Sequence, residues 1–278
     1  MSQARITILG TAQDAGLPQL GCLCAACERA RREPAYRRLP AAVALTASTG
    51  RTMLVDATWA LTEQSALLAR SPARPLGFDA VLLTHAHMGH VLGLPLLGRE
   101  AASTKDMPVY ATPSMARFLT THRPFAHLVE RGEIVPTAME AGTSIAFDDL
   151  VVTPHASPHR GEDTDTVGLE VRGPRHTIVY LPDADRFDDA WVERIERADA
   201  AWVDGTFHHP DELPGRDLSQ IPHPFTSDSV KRLAGARGDV RFTHLNHGNR
   251  LLHPDALERG DVLPSPFRLA TDGETWGL

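Results

Sequence analysis

The segment that decides the fold is Thr84-His85-Ala86-His87-Met88-Gly89-His90, which directly follows the apolar run Asp79-Ala80-Val81-Leu82-Leu83. The short aliphatic run predicts a buried strand, and residues 91–97 have the pattern of a helix start. Three imidazoles therefore stand where a strand ends. In α/β architectures the carboxyl ends of strands open into the ligand crevice, so these histidines are candidates for a binding site.

The spacing of the three histidines indicates a metal centre. A His-x-His-x-x-His pattern is expected by chance only about 0.04 times in a chain with 14 histidines among 278 residues. Neutral imidazole is a common nitrogen ligand of zinc-like ions, and a histidine cluster adds little to core packing because each ring needs polar partners. We therefore favour metal binding over a purely structural cluster.

The composition restricts the class of protein. The residues are 42% apolar and 23% charged, which is ordinary for a globular protein, and the chain is long enough to bury a substantial core. Apolar runs are too short to span a bilayer, and residues 1–9 carry a strand pattern instead of an export signal. A net charge of −7 argues against general nucleic-acid binding.

We expect a cytoplasmic protein with a small-molecule substrate and no membrane partner, and a homodimer is compatible with the sequence.

Further elements follow from the same patterns. Helices are predicted from residue 28 to the neighbourhood of Pro34 and at 59–70, 114–121, 187–197 and 230–236. Strands are predicted at 5–10, 42–47, 52–56, 108–111, 150–153, 166–172, 176–181, 200–204 and 240–243. No repeat or linker divides the chain, so we expect a single domain over residues 1–278. The Pro-rich segment 205–228 lacks periodicity and is a candidate lid.

The three cysteines form a second candidate metal site. Cys22, Cys24 and Cys27 lie within six residues, and an odd number at this spacing is a poor disulfide framework. A closed Cys₃His zinc site would need one distant histidine as its fourth ligand. Three buried thiols without a metal are the alternative.

Other polar groups also follow predicted strands. Asp56 ends one strand, and we expect its carboxylate to accept backbone hydrogen bonds instead of binding a metal. The segment Pro154-His155-Ala156-Ser157-Pro158-His159 follows the strand at 150–153. After the strand at 176–181 comes Pro182-Asp183-Ala184-Asp185, a carboxylate pair placed where it could bridge a metal. His244-Leu245-Asn246-His247 follows the strand at 240–243.

A His-x-His-x-x-His turn followed by a later His, then Asp, then His, each after a strand, resembles the metallo-β-lactamase superfamily. The resemblance implies an α/β fold, a four-layer αββα sandwich in which two mixed sheets are flanked by helices and hold metals between them. It implies that His85, His87 and His159 bind one metal, that His90 and His244 bind a second, and that Asp183 bridges the two. His155 is the alternate to His159.

Position 89 departs from the superfamily pattern, which normally has Asp where this chain has Gly89. Without that anionic ligand, the second metal is expected to be weakly held or absent.

Two groups within the superfamily are similar to this chain. Leu9-Gly10-Thr11-Ala12 and the cysteine segment resemble the phosphodiesterase of the carbon-phosphorus lyase pathway, which implies that His247 completes the structural zinc site. Other motifs resemble the pyrroloquinoline-quinone (PQQ) biosynthesis protein B group: Pro158-His159-Arg160, Thr166-Val167-Gly168, Leu181-Pro182-Asp183-Ala184-Asp185, Asp204-Gly205-Thr206-Phe207, Ile221-Pro222-His223-Pro224 and His244-Leu245-Asn246-His247.

These residues predict metal-assisted hydrolysis of a phosphodiester or similar ester, in which Asp183 orients the attacking water. His223 is the preferred proton donor, ahead of His208 and His209. Zinc is the expected ion, with manganese or iron as alternatives. The competing hypotheses are an iron-dependent oxidation of a biosynthetic substrate and a noncatalytic metal carrier.

Overall fold

The computed structural model describes residues 3–213, 215, 217 and 220–278, and within them the strands form two mixed sheets of seven strands each. The order of the first sheet is β14 (Thr275–Gly277), β1 (Arg5–Gly10), β2 (Ala42–Thr46), β3 (Thr52–Val55), β4 (Ala80–Leu82), β5 (Met107–Ala111) and β6 (Ile134–Ala138). The order of the second is β13 (Phe267–Leu269), β12 (Asp239–Thr243), β11 (Ala200–Asp204), β10 (Thr177–Leu181), β9 (Val167–Arg172), β8 (Leu150–Ala156) and β7 (Ile145–Phe147).

Helices cover the outer faces of both sheets. They are α2 (Leu61–Ala66), α3 (Met88–Val91), α4 (Pro113–Thr121), α5 (Phe125–Glu130), α6 (Asp189–Arg197) and α7 (Thr226–Arg232). Helix α1 (Ala25–Arg32) instead packs with Leu17 and the cysteine segment. Side chains cap the two longest: Thr112 accepts a hydrogen bond from the Met115 N–H at the start of α4, and Asp188 accepts one from the Trp191 N–H at the start of α6.

Alternation of side chains along the strands builds the layers. In β2, Val43 and Leu45 belong to the apolar core between the two sheets, whereas Ala42 and Ala44 pack with the helices outside the first sheet. A third apolar cluster packs α6 against the outer face of the second sheet. Strands buried on both faces explain the continuous apolar runs in the sequence. The predicted fold of two mixed sheets flanked by helices is confirmed.

Strand direction places the functional side chains at one edge of the sandwich. Strands β3 and β4 are parallel, and β1 runs in the same direction because both β1 and β3 are antiparallel to β2. In the second sheet β10, β11 and β12 are parallel, and β8 shares their direction because β8 and β10 are both antiparallel to β9. The loops after these strands can therefore converge.

Several predicted boundaries were wrong. The helix after the histidine turn begins at Met88, so His90 lies on α3 itself, and α7 begins at Thr226 instead of Val230. The sequence patterns missed α5, β6, β7, β13 and β14. Four of these have physical reasons: β7, β13 and β14 have only three residues each, and β6 is an edge strand that contains Pro136.

The predicted lid remains a prediction, because residues 214, 216, 218 and 219 of this segment lie outside the described residues. The described part of the segment includes a short 3₁₀ helix, Pro210–Glu212, and ends where α7 begins. Among the helices of the described chain, none combines the length and apolar character that a membrane crossing requires.

The core between the sheets should dominate stability. Leu45 is fully buried there, so we expect Leu45→Ala to lower the free energy of unfolding by about 2–5 kcal/mol through lost burial and an unfilled cavity. Leu257, which is 81% exposed, provides the control. Leu257→Ala should change the free energy of unfolding by less than about 0.5 kcal/mol. Urea unfolding measures both, and equal effects would contradict this assignment of the core.

Candidate metal centre

The carboxylate of Asp183 lies at the centre of a histidine cluster. Asp183 follows β10 and is only 2% exposed. Its oxygens lie 3.2 Å from His159 Nε2, 3.3 Å from His85 Nε2, 3.4 Å from His244 Nε2 and 3.6 Å from His90 Nε2. Burial would raise the pKa of Asp183, but the surrounding histidines hold it well below its usual range. Asp183 is therefore an anion inside the protein.

Four of the predicted ligands form one group. The candidate ligand atoms of His85, His87, His159 and Asp183 all lie within 4.8 Å of one another. His87 faces the group with Nδ1, which is 3.3 Å from His159 Nε2. The loops after β4, β8 and β10 supply these residues, so the group depends on both sheets.

A second group lies on the other side of Asp183. His90 Nε2 and His244 Nε2 both approach Asp183 Oδ2, and the two rings are stacked with centroids 5.7 Å apart. Asp14, from the loop after β1, completes this group with His90 and His244. The residues predicted to hold the second metal therefore lie together, with one carboxylate that the sequence patterns did not assign.

Hydrogen bonds to the opposite ring nitrogen orient the ligand histidines. The Nδ1 atoms of His90 and His159 lie 2.7 and 2.8 Å from the carboxylates of Asp56 and Asp185. In the same way, Thr84 Oγ1 is 3.0 Å from His85 Nδ1, and Thr206 Oγ1 is 2.9 Å from His244 Nδ1. Each contact leaves Nε2 facing the centre, as outer partners of metal-binding histidines commonly do.

Asp56 has the supporting role that the sequence predicted. Its Oδ1 atom accepts hydrogen bonds from the Thr84 N–H and hydroxyl at 2.8 and 3.0 Å. It therefore fixes the start of the histidine turn while it orients His90.

Several inward-facing polar atoms lack hydrogen-bond partners among the described residues, namely His85 Nε2, His244 Nε2, Asp183 Oδ1 and Asp14 Oδ1. Buried polar atoms are rarely left in this state, because their desolvation costs free energy. Burial and the neighbouring His90 also hold the pKa of His85 well below its usual value, which keeps its ring neutral. Neutral imidazoles and carboxylates converging in this way fit a divalent cation such as zinc, manganese or iron.

Three other candidate histidines lie outside the described groups. His155 packs against Trp191, with ring centroids 5.9 Å apart, so His159 and not His155 reaches the cluster. His208 Nδ1 contacts Thr226 Oγ1 at 2.6 Å, and the side chain of His209 caps the 3₁₀ helix at Pro210–Glu212.

His223 does reach the centre, and Asp204 orients it. Asp204 Oδ2 lies 2.7 Å from His223 Nδ1, while His223 Nε2 is buried and has no hydrogen-bond partner among the described residues. Burial opposes a charged ring, yet Asp204 and Asp183 raise the pKa of His223 to about 9. Asp204 also accepts hydrogen bonds from the Ala184 and Thr206 N–H groups, so its oxygens are occupied and it acts as a support.

The cysteine segment forms the predicted second group. The ligand atoms of Cys22, Cys24, Cys27 and His247 lie within 4.8 Å of one another. His247 Nδ1 is 3.3 Å from Cys22 Sγ and 3.6 Å from Cys24 Sγ. Burial raises the pKa of Cys27 to about 12, so a thiolate at this position requires a compensating cation. The donor set is that of a closed, tetrahedral zinc site.

Comparison with known proteins agrees with this geometry. The model of the Beta-lactamase superfamily domain matches residues 51–247, which include Asp183 and the histidines around it. The chain belongs to the metallo-β-lactamase superfamily. Coenzyme PQQ synthesis protein B of Ruegeria pomeroyi is 27% identical to it over 297 residues, which cover 97% of this chain and 98% of that protein.

Two solved structures share the fold of this superfamily member. Zn²⁺-bound PqqB from Methylobacterium extorquens aligns with a TM-score of 0.84 and 23% identity, over 99% of this chain and 100% of that chain. A diphosphatase from the PhnP family aligns with a TM-score of 0.72 and 24% identity, over 99% of this chain and 97% of that chain.

Sequence reasoning missed three functional positions. Asp204 and Asp14 were given no role, and Asp185 was grouped with Asp183 as a metal-bridging pair although it hydrogen-bonds to His159. The sequence contained a partial indication of these three positions. Each aspartate follows or ends a strand, and the carboxyl ends of these strands lie at the same edge of the sandwich. Whether a carboxylate binds the metal or only orients a histidine depends on contacts between residues that are distant in sequence.

Loss of one cysteine should remove a structural metal. We expect Cys24→Ser to lose about one zinc per chain, to unfold at a lower temperature and to reduce activity, because His247 lies three residues after His244. Leu23→Ser is the matched control, because Leu23 is 81% exposed between the two cysteines. Elemental analysis and thermal unfolding test this, and unchanged zinc in the cysteine variant would refute the site.

Proposed function

We propose that this protein is a metal-dependent hydrolase that cleaves a phosphodiester or similar ester bond in a small molecule. The observation that carries the proposal is the set of inward-facing imidazole nitrogens around the buried anion Asp183, which lack hydrogen-bond partners among the described residues. A divalent ion held there would lower the pKa of a bound water and stabilise negative charge that develops on the substrate. Zinc in the PqqB relative supports that ion for this chain.

The chain's own residues divide the remaining work. The oxygens of Asp183 lie between the two histidine groups, where a carboxylate can accept a hydrogen bond from the attacking water and orient it. The His223 ring lies beside the same space, with its centroid 5.7 Å from that of His159 and 5.8 Å from that of His244. Asp204 holds its Nδ1 atom, and its buried Nε2 atom has no hydrogen-bond partner among the described residues. A protonated His223 would therefore donate its proton to the leaving oxygen.

An apolar groove in the structure indicates the kind of substrate that the protein could accept. Its volume is about 710 Å³, and its lining includes Ala15, Trp59, Met88 and Leu92. Ala15 and Met88 are the sequence neighbours of the candidate ligands Asp14 and His87, although none of the candidate ligands itself lines the groove. Its apolar lining favours a substrate in which the scissile ester carries an aryl or alkyl group.

A second candidate function follows from the comparisons. Relatives that align over nearly the whole chain are PQQ synthesis proteins B, and this favours a role in a biosynthetic pathway. In that reading, His85, His87, His159 and Asp183 would hold iron for an oxidation.

Metal identity and turnover separate the candidates. For the hydrolase, we expect zinc or manganese in protein purified without added metal, and turnover of bis-p-nitrophenyl phosphate. Asp183→Asn should lose active-site metal and reduce turnover by at least about 100-fold, because it removes the shared anion. His155→Gln, outside the cluster, is the control. Iron with substrate-dependent oxygen consumption would favour the oxidation instead, and bound metal without any turnover would favour a carrier.

The role of His223 has its own test. We expect His223→Gln to lower kcat by about 10²–10⁴-fold with metal content unchanged. The loss should be greater for a methyl than for a p-nitrophenyl leaving group, because the poorer leaving group depends more on protonation. His209→Gln should have little effect, since His209 is 43% exposed and lies outside the cluster. Equal losses for both leaving groups, or loss of metal, would contradict the assignment.

A further inference from the structure

We infer that Asp14 supplies the carboxylate that position 89 lacks, so that this chain holds its second metal through a ligand from the loop after β1. The inference rests on the metal centre proposed above and reverses the expectation that Gly89 leaves the second metal weak or absent. It assigns the second ion Asp14 in addition to His90, His244 and the shared Asp183.

Proximity is the first argument. A Cβ atom added at Gly89 would lie 2.1 Å from Asp14 Oδ1 and 2.6 Å from Asp14 Cα. Real side chains essentially never approach so closely, so the space beside α3 that a residue at position 89 would enter is filled by Asp14. The two positions are therefore complementary. Asp14 leaves no room for a side chain at position 89, and a side chain at position 89 would leave no room for Asp14.

The direction of the carboxylate is the second argument. Asp14 Oδ1 lies 3.7 Å from His90 Nε2 and belongs to a group with His90 and His244 whose ligand atoms are within 4.8 Å of one another. This oxygen is buried and has no hydrogen-bond partner among the described residues, and the same is true of His244 Nε2. Two such atoms from separate loops, facing one another, have the geometry of ligands around a cation.

The loop that carries Asp14 is fixed on both sides. The Gln13 N–H donates to the Leu245 carbonyl at 2.9 Å, and the Leu245 N–H donates to the Thr11 carbonyl at 2.8 Å, which ties the loop to the segment that carries His244. On the other side, Trp59 Nε1–H donates to the Asp14 carbonyl at 2.7 Å. A carboxylate held in this way is positioned before any ion binds.

Charge gives the third argument. With Asp14 included, two divalent ions would face two carboxylates, Asp14 and Asp183, instead of one. Two imidazoles and two carboxylates form a donor set suited to zinc or manganese. The chain therefore retains the anionic ligand that Gly89 removes from the histidine motif.

Metal titration of the full chain tests the inference. After removal of metal from the centre, Zn²⁺ is added back, and the ions bound are counted by elemental analysis and by competition with a chromogenic chelator. We expect the wild type to bind two ions at the centre in addition to the structural one. Asp14→Asn should bind the second ion at least about 100-fold more weakly while it retains the first. Asp211→Asn, which changes a carboxylate that is 73% exposed, should bind as the wild type does.

A reciprocal exchange separates ligand loss from misfolding. Gly89→Asp alone should lower the unfolding temperature, because its side chain collides with Asp14. The double variant Asp14→Gly with Gly89→Asp should regain the second ion but only part of the unfolding temperature, because the added Cβ atom still approaches the Cα atom of residue 14. An Asp14→Asn protein that binds both ions as tightly as the wild type would overturn the inference, and so would a wild type that saturates with one ion. Failure of the proposed hydrolysis would appear differently, as two bound ions without turnover.

Discussion

A single buried negative charge, that of Asp183, is the constraint on which the rest of the structure depends. A carboxylate that is almost fully removed from water is unfavourable unless positive charge or hydrogen-bond donors surround it. Here its neighbours are imidazoles from both sheets, and several of their nitrogens face it without hydrogen-bond partners among the described residues. A divalent cation between these groups would satisfy all of them at once.

The sandwich provides the rigidity that such a site needs. Ligand residues follow strands β4, β8, β10 and β12, whose neighbours in the sheets hold their ends in place. A layer of carboxylates and hydroxyls behind the histidines then fixes each ring, and the residues of this layer also lie at strand ends. Asp56 follows β3, Asp204 ends β11, and Asp185 lies four residues beyond β10.

Two loops connect the structural site with the catalytic one. The loop after β1 contains Asp14 and continues to Cys22, and the loop after β12 contains both His244 and His247. Backbone hydrogen bonds between Gln13, Leu245 and Thr11 join the two loops near their origins. A zinc ion in the Cys₃His site would therefore hold together the segments that bring Asp14 and His244 to the proposed second metal position. Loss of that ion would then disturb the proposed active site as well as stability.

The amino-acid sequence by itself determined the architecture and the region of the site. Alternating or continuous apolar runs identified most strands, and polar residues placed directly after them pointed to the carboxyl ends of those strands. The arrangement in two sheets was implied by the resemblance to the superfamily. The histidine spacing marked the principal ligands, because ligand types and local spacing are properties of neighbouring residues. The patterns failed at three of the four described three-residue strands and at an edge strand containing proline, where local signals are weak.

Only the tertiary structure decided which of the candidate residues share a pocket. It brought His159 to the cluster and placed His155 against Trp191, and it turned Asp185 and Asp204 towards histidines as supports. It also placed Asp14 in the space beside Gly89, a residue 75 positions further along the sequence. These contacts depend on strand order and on the packing of loops that are distant in sequence. The spacing of residues along the chain does not determine either of these.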